Sequence, residues 1–317
     1  MASLANICCR ALTGFRSKHR SSSNSTGRAF EQLFVTLIAN PYSKPMQVNQ
    51  HTDRKALMQK RKRASIGKAD FVSLAALDEV QYRLDLVNRT FKKPLLAGWQ
   101  GGLWAEQLAS FDQTEDAETL DVSSKTHDLI VHGMSLHWSN DIVGQLIQCR
   151  NAMLPDGLFI GVMFGGESLQ ELRKVLAEAE LQFYGGLSPR VAMMAEVRDA
   201  GQLLQRAGFA LPVVDKIELK ASYENIFHLI RDLRHMGETS ALHLRKRSFE
   251  RKGFFELANE LYKQHFSQDD GRIIATFEVM FLTGWTPHES QQKPLRPGSA
   301  KARLAEALST IEVPLKD

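Results

Sequence analysis

Apolar residues along this chain recur with two periods. Phe71, Leu74, Leu77, Val80 and Leu84 step by three and four, which predicts a helix with one buried stripe. Leu95-Leu96-Ala97 is a short apolar run that ends in glycines. It predicts a strand, a glycine turn and a helix from about Leu103 to Ser110. Asp128–Val131 reads as the next strand, and Ile142, Leu146, Cys149 and Met153 then share one helix face. Pro155-Asp156-Gly157 predicts a turn. Leu158–Phe164 is almost unbroken in apolar character, as in a strand buried on both faces of a parallel sheet. Ser168 and Glu171 have capping-box spacing ahead of a stripe of Leu169, Leu172, Leu176 and Ala179. Further helices are predicted up to Gly208, through Ile226–Leu233 to Gly237, and over Phe254–Leu261. Strands are predicted at Val213–Leu219 and Ile273–Leu282, and a short last helix at Ala302–Leu308. Strands that alternate with helices predict an α/β, doubly wound sheet.

Composition narrows the classes. The chain has 317 residues, 43% hydrophobic and 24% charged, which is ordinary globular usage. Its three cysteines, Cys8, Cys9 and Cys149, are too few for a disulfide framework or a structural zinc site. The first thirty positions carry Arg10, Arg16, Lys18, Arg20 and Arg28, are rich in serine, and precede the first acid, Glu31. With Leu4, Ile7, Cys8, Ala11 and Phe15 on one helical face, residues 1–30 read as a mitochondrial presequence, the other reading being a polar tail. A linker follows at 31–52, and a single domain at 53–317 with a helical insertion at about 222–266 and a C-terminal tail. The apolar run Phe34–Ala39 is far shorter than the ~20 residues of a membrane span, so no transmembrane segment is predicted. A matrix protein is expected, with peripheral association with the inner membrane left open.

Six of the ten residues from Arg54 to Arg63 are Lys or Arg, although the net charge of the chain is only +4. Such a run serves as a solvated helix face or a protein-docking surface more often than as a lipid or nucleic-acid patch.

Three strings carry a resemblance. They are Ser135-Leu136-His137-Trp138 continuing to Asp141, Leu154-Pro155-Asp156-Gly157 continuing to Gly166, and Gly284-Trp285-Thr286-Pro287-His288-Glu289-Ser290 continuing to Ala300. From about Gln50 onward the chain resembles the mitochondrial complex I assembly factor 5 (arginine-hydroxylase) family. The resemblance implies a seven-stranded, Rossmann-like methyltransferase sheet of class I and S-adenosylmethionine as cofactor. It also implies a partner in a complex I matrix-arm subunit or assembly intermediate, one arginine of which becomes hydroxylated.

The cofactor loop of that family reads acid-x-Gly-x-Gly-x-Gly. Here Leu96 stands at the acid and Gln100 at the middle glycine, while Gly98 and Gly102 remain. Asp128 lies 26 positions after Gly102, which leaves room for one helix and one strand, such as Thr119–Val122. The sheet is therefore expected to be shortened at its cofactor half and to bind the cofactor weakly or not at all. Candidate cofactor contacts are Gly98, Gly102, Asp121, His137 and Trp138. Asp121 would hold a ribose, or else belongs to a solvated cluster with Glu115, Asp116 and Glu118. His137 and Trp138 would wall a pocket, or else are a packed indole with a hydrogen-bonded imidazole. Asp141 is placed to cap a helix. No metal set accompanies His132 and His137. His288, Glu289, Gln291, Gln292 and Arg296 form a candidate substrate or partner loop, or else a surface loop sealing the domain edge. No residue is assigned a catalytic role. Three readings stay open: an arginine-modifying assembly factor, a non-catalytic scaffold or chaperone in the same pathway, and an RNA-associated mitochondrial factor.

Overall fold

The computed structural model describes residues 50–65, 67, 70–99, 103–292, 298–299, 304–307 and 309–310. The predicted presequence, residues 31–49 of the linker, Gly102 and Arg296 lie outside the described residues.

Helices α1 (Arg54–Arg61) and α2 (Phe71–Leu86) precede strand β1 (Pro94–Gly98). Then follow α3 (Leu103–Gln107), β2 (Asp112–Thr114), β3 (His127–Gly133), α4 (Ile142–Ala152), β4 (Met153–Phe164), α5 (Gln170–Tyr184) and α6 (Val197–Ala207). The chain ends with β5 (Ala210–Tyr223), α7 (Ile226–Met236), α8 (Phe254–Phe266), β6 (Ile273–Trp285) and α9 (Leu304–Ala307). The strands form one sheet in the order β2-β1-β3-β4-β6-β5. The first four run parallel, and β6 is antiparallel to both β4 and β5.

The sheet is covered on both faces. One core joins α2, α5, α7 and α8 to side chains such as Leu96, Val131, Ile160 and Phe277. The other joins α4 and α6 to Leu95, Ile130, Phe159 and Met280. Neighbouring residues of β1, β3 and β4 feed opposite cores, which is why these strands read as unbroken apolar runs.

Six strands are present among the described residues, one fewer than the seven the resemblance implies. The strand between α3 and β3 is Asp112–Thr114, not Thr119–Val122. The reason is local hydrogen bonding. Two glutamines of α4 take up the backbone of the segment after β2: Gln145 Nε2 donates to Ala117 O (2.6 Å) and Gln148 Nε2 to Glu118 O (3.0 Å). The Leu120 amide donates to Gln148 Oε1 (2.8 Å). With its polar groups met in this way, the segment needs no strand partner.

Two other local expectations change. Pro155-Asp156-Gly157 does not end an element but sits inside β4 as an irregularity with Asp156 at φ +60°, and the register with β3 shifts there. Ser168 and Glu171 do not cap α5, whose N-cap position is Leu169 at φ +54°. Ser168 Oγ donates to Glu278 O (2.9 Å) and accepts from Glu278 N (3.1 Å). The Glu171 carboxylate accepts from Thr276 N (3.1 Å) and Thr276 Oγ1 (2.5 Å). Both side chains clamp β6 instead of their own helix.

Gly98 closes β1 at φ +97°, where a Cβ would fall 2.5 Å from Ser135 Oγ and 2.7 Å from Gly133 O. Gly98→Ala combines left-handed strain with overpacking against the end of β3 and is expected to lower unfolding free energy by about 2–4 kcal/mol, measured by urea denaturation.

Candidate functional site

In open α/β sheets the ligand crevice lies beyond the carboxyl ends of the strands, where the strand order reverses. Here that point is β1, flanked by β2 on one side and β3 on the other. Three segments leave this edge: Gly98-Trp99 after β1, Glu115-Asp116 after β2, and the turn Leu136–Trp138 after β3.

A buried ion-pair chain occupies the edge. Arg54 Nη2 lies 2.8 Å from Asp116 Oδ1, and Arg61 pairs with the other oxygen of Asp116. The Arg61 guanidinium continues to Glu238, with Nη2 at 3.7 Å from Oε1, and lies 5.0 Å from the ring centroid of Trp99. Glu238 Oε2 accepts from Trp138 Nε1 (2.7 Å) and lies 3.0 Å from His137 Nε2. The side chain of Arg61 is 1% exposed and that of Asp116 4%, so bulk water screens little of this interaction. Burial opposes ionisation of Asp116, but the hydrogen bond from Arg54 and the charges of Arg61 and Arg54 hold its carboxyl below the usual range. Burial likewise opposes ionisation of Glu238, and His137, Arg61 and the Trp138 indole together hold it low. Full burial pushes His132 of β3 down to about 4, so this imidazole is neutral. The charge of Asp116 and the Gln145 side chain oppose this shift only in part.

The Ser135–Asp141 string has a structural use at each end. His137 and Trp138 grip Glu238 about a hundred residues away. The Asn140 amide exchanges hydrogen bonds with the Thr52 backbone (2.9 and 3.2 Å), and Asp141 caps α4 through Gly144 N (2.7 Å). Asp121, by contrast, is exposed and joins no hydrogen bond or ion pair among the described residues. The acid at the strand edge is Asp116, which composition grouped with a solvated cluster. The three-residue strand before it, Asp112–Thr114, carries no apolar run, so the sequence did not mark it. Glu238 carried no sequence signal beyond the helix-ending glycine before it. The tail loop sits elsewhere. Gln291 Nε2 donates to Asp156 Oδ1 (2.9 Å) and Thr286 O (2.8 Å), which anchors the loop at the amino ends of the parallel strands. His288, Glu289 and Gln292 are exposed there. The loop and the ion-pair chain therefore occupy opposite edges of the sheet.

These residues do not fit S-adenosylmethionine as the resemblance implies it. Leu96 is fully buried in the core where a carboxylate would meet the cofactor's ammonium group. Asp116, placed to hold a ribose, is spent on two guanidinium groups.

Beside this chain, on the far side of Trp138 and Glu238, lies a cavity of about 220 Å³. Its wall is largely apolar and aromatic, formed by Phe164, Leu172, Ile230, Phe255 and Phe277. Among the described residues no group of three or more His, Cys, Asp and Glu side chains is arranged to hold a metal ion.

No family model matches the chain. Individual relatives do. The mitochondrial arginine-hydroxylase NDUFAF5 of Homo sapiens is 40% identical over 191 residues, 60% of this chain and 55% of that protein. NDUFAF5 of Dictyostelium discoideum is 39% identical over 190 residues, 60% of this chain and 43% of that protein. The chain thus spans about half the length of these curated relatives. A malonyl-[acyl-carrier protein] O-methyltransferase of Methylovorus is 27% identical over 233 residues, 72% of this chain and 71% of that enzyme. Among solved structures, the YcgJ protein of Bacillus subtilis superposes with a TM-score of 0.44 at 10% identity, covering 68% of this chain and 99% of that one.

Arg61→Ala leaves Asp116 and Glu238 buried with less countercharge and is expected to cost about 3–5 kcal/mol in denaturant melts. A second outcome follows from His132. Its native value near 4 lies below the unfolded value of 6.5, so only the unfolded chain takes up a proton between them. Stability is therefore complete above pH 6.5 and falls as the pH drops toward 4, by about 3 kcal/mol for this group alone. His132→Phe should flatten that slope in melts run across the same pH range.

Proposed function

We propose that the chain is a member of the NDUFAF5 arginine-hydroxylase family and acts in mitochondria as an assembly factor of respiratory complex I (NADH:ubiquinone oxidoreductase). Its client is a matrix-arm subunit or an early assembly intermediate, met through an arginine. Identity near 40% to NDUFAF5 of several organisms carries this reading. The Arg-rich, acid-free first thirty residues support delivery to the matrix as a cleavable presequence. Among the described residues no helix is long and apolar enough to cross a membrane.

Within this role the ion-pair chain favours a scaffold over an S-adenosylmethionine-dependent enzyme. Cofactor binding would require Arg61 to leave two buried carboxylates, at a cost of several kcal/mol before any contact with the cofactor is made. The retained function is then client binding rather than group transfer. An RNA-associated role gains little from the basic run. Arg61 is buried, Arg54 is held by Asp116, and Lys60 Nζ donates to Ser240 O, so half of the six cations serve the fold.

Deleting the gene in an organism that possesses complex I should leave matrix-arm intermediates accumulating on native gels, with rescue by the wild-type gene. Normal assembly in the deletion strain refutes the role. Calorimetry of the purified chain with S-adenosylmethionine should give no binding heat, and a measurable heat would restore the enzymatic reading.

A further inference from the structure

The segment between α7 and α8 carries a run of charge that neither the sheet nor the assembly role uses. It reads Arg245-Lys246-Arg247-Ser248-Phe249-Glu250-Arg251-Lys252. Ser248 is exposed, and the Phe249 ring beside it is fully exposed, where it adds nothing to the core. Among the described residues no backbone–backbone hydrogen bond is made from Lys246 to Glu250. This stretch is therefore free to lie extended in the cleft of another protein.

The sequence contains a second hydroxyl behind cations, Ser65 after Lys62-Arg63-Ala64. Its backbone is differently placed. The successive amides of Lys62, Arg63, Ala64 and Ser65 donate to Met58 O, Lys60 O, Arg61 O and His235 O, each at 3.0 Å. Presenting Ser65 in extended form breaks all of these bonds and pulls on Arg61. Presenting Ser248 breaks none.

What restrains the Ser248 segment is charge. Asp53 Oδ2 lies 3.0 Å from Arg245 Nη2 and 3.5 Å from Arg247 Nη2, while Asp53 Oδ1 accepts from Ala56 N (3.1 Å) and caps α1. Glu250 lies 3.1 Å from Lys246 Nζ. The Arg245 side chain is 19% exposed and that of Arg247 63%. Arg247 is thus open to a visitor, whereas Arg245 must first leave Asp53.

We propose that Ser248 is a phosphorylation site for a serine kinase that reads cations ahead of its target, and that Asp53 gates the site by holding Arg245. Such a kinase meets guanidinium groups with carboxylates and the residue after the serine with an apolar pocket; Arg245, Arg247 and Phe249 suit both. In the transfer, Ser248 Oγ bonds to the γ-phosphorus of ATP and the bond from that phosphorus to the β,γ-bridging oxygen breaks. ADP leaves, and the hydroxyl proton passes to the kinase's carboxylate base. The product places about two negative charges beside Arg247. A phosphate dianion competes well against a single carboxylate for guanidinium groups, so Arg245 and Arg247 turn from Asp53 to the phosphate. The clasp between this loop and the start of α1 then loosens. This holds whether or not the chain serves in complex I assembly.

The test incubates the full chain with ATP and the catalytic subunit of the cAMP-dependent protein kinase, and locates phosphate by tandem mass spectrometry. Ser248 should be modified, and Ser248→Ala should lose that modification. Arg245→Gln should slow it ~10-fold or more, the equivalent of one charge-assisted hydrogen bond to the kinase. Asp53→Asn keeps an oxygen for the α1 cap but frees Arg245. It should speed the modification by up to ~5-fold, the range of a partly exposed ion pair. In the phosphorylated protein, hydrogen exchange should quicken at the amides of Asp53 and His243, which bridge the loop and the start of α1 through Ala241 O and His51 O. An unmodified Ser248, or Ser65 modified at an equal or greater rate in the folded chain, overturns the site. An unchanged or lower rate in Asp53→Asn, or unchanged exchange at Asp53 and His243 after phosphorylation, overturns the gate.

Discussion

A guanidinium taken out of water is costly unless its charge and its N–H groups are met in place. In this protein Arg61 is buried at the carboxyl edge of the sheet, and the arrangement of that edge follows from how its cost is offset. Asp116 comes from the segment after β2, Glu238 from the segment after α7, and the Trp99 ring from the exit of β1. One side chain thereby ties helix α1 to three separate parts of the chain. Backbone contacts hold the helix at its start: Asp53 N donates to Ala241 O (2.8 Å), Thr52 bridges Leu242, and Asn140 clasps Thr52. The N-terminal helix is in this way part of the site's wall.

The same arrangement divides the molecule's chemistry into two compartments. On the side of β1 and β2, the acid suited to a ribose is satisfied by Arg54 and Arg61, and Leu96 belongs to the core. On the side of β4, β6 and the helices above them, a small apolar cavity stays open, with Glu238 and Trp138 as the partition. On the cavity side, Ser168 and Glu171 fasten α5 directly to β6.

Much of the fold was legible in the amino-acid sequence. Apolar runs gave the central strands and stripes at three- and four-residue steps gave the helices, because each pattern records which face of a single element meets the core. The crowding between Gly102 and Asp128 foretold the shortened sheet, since chain length bounds how many elements fit. The motif strings pointed to the relatives the chain is similar to, and Asp141 was correctly read as a cap because a cap bonds within three residues.

What only the tertiary structure decided concerns partners distant along the chain. Arg61 and Asp116 are 55 residues apart, Trp138 and Glu238 are 100, and Glu171 and Thr276 are 105. A capping-box spacing became a clamp between helix α5 and strand β6, a cation in a basic run became a buried counterion, and Asp116 rather than Asp121 came to stand at the strand edge. Periodicity assigns a residue to a face. It carries no information about which distant charge lies opposite that face, and at this edge of the sheet the placement of charge determines what can bind.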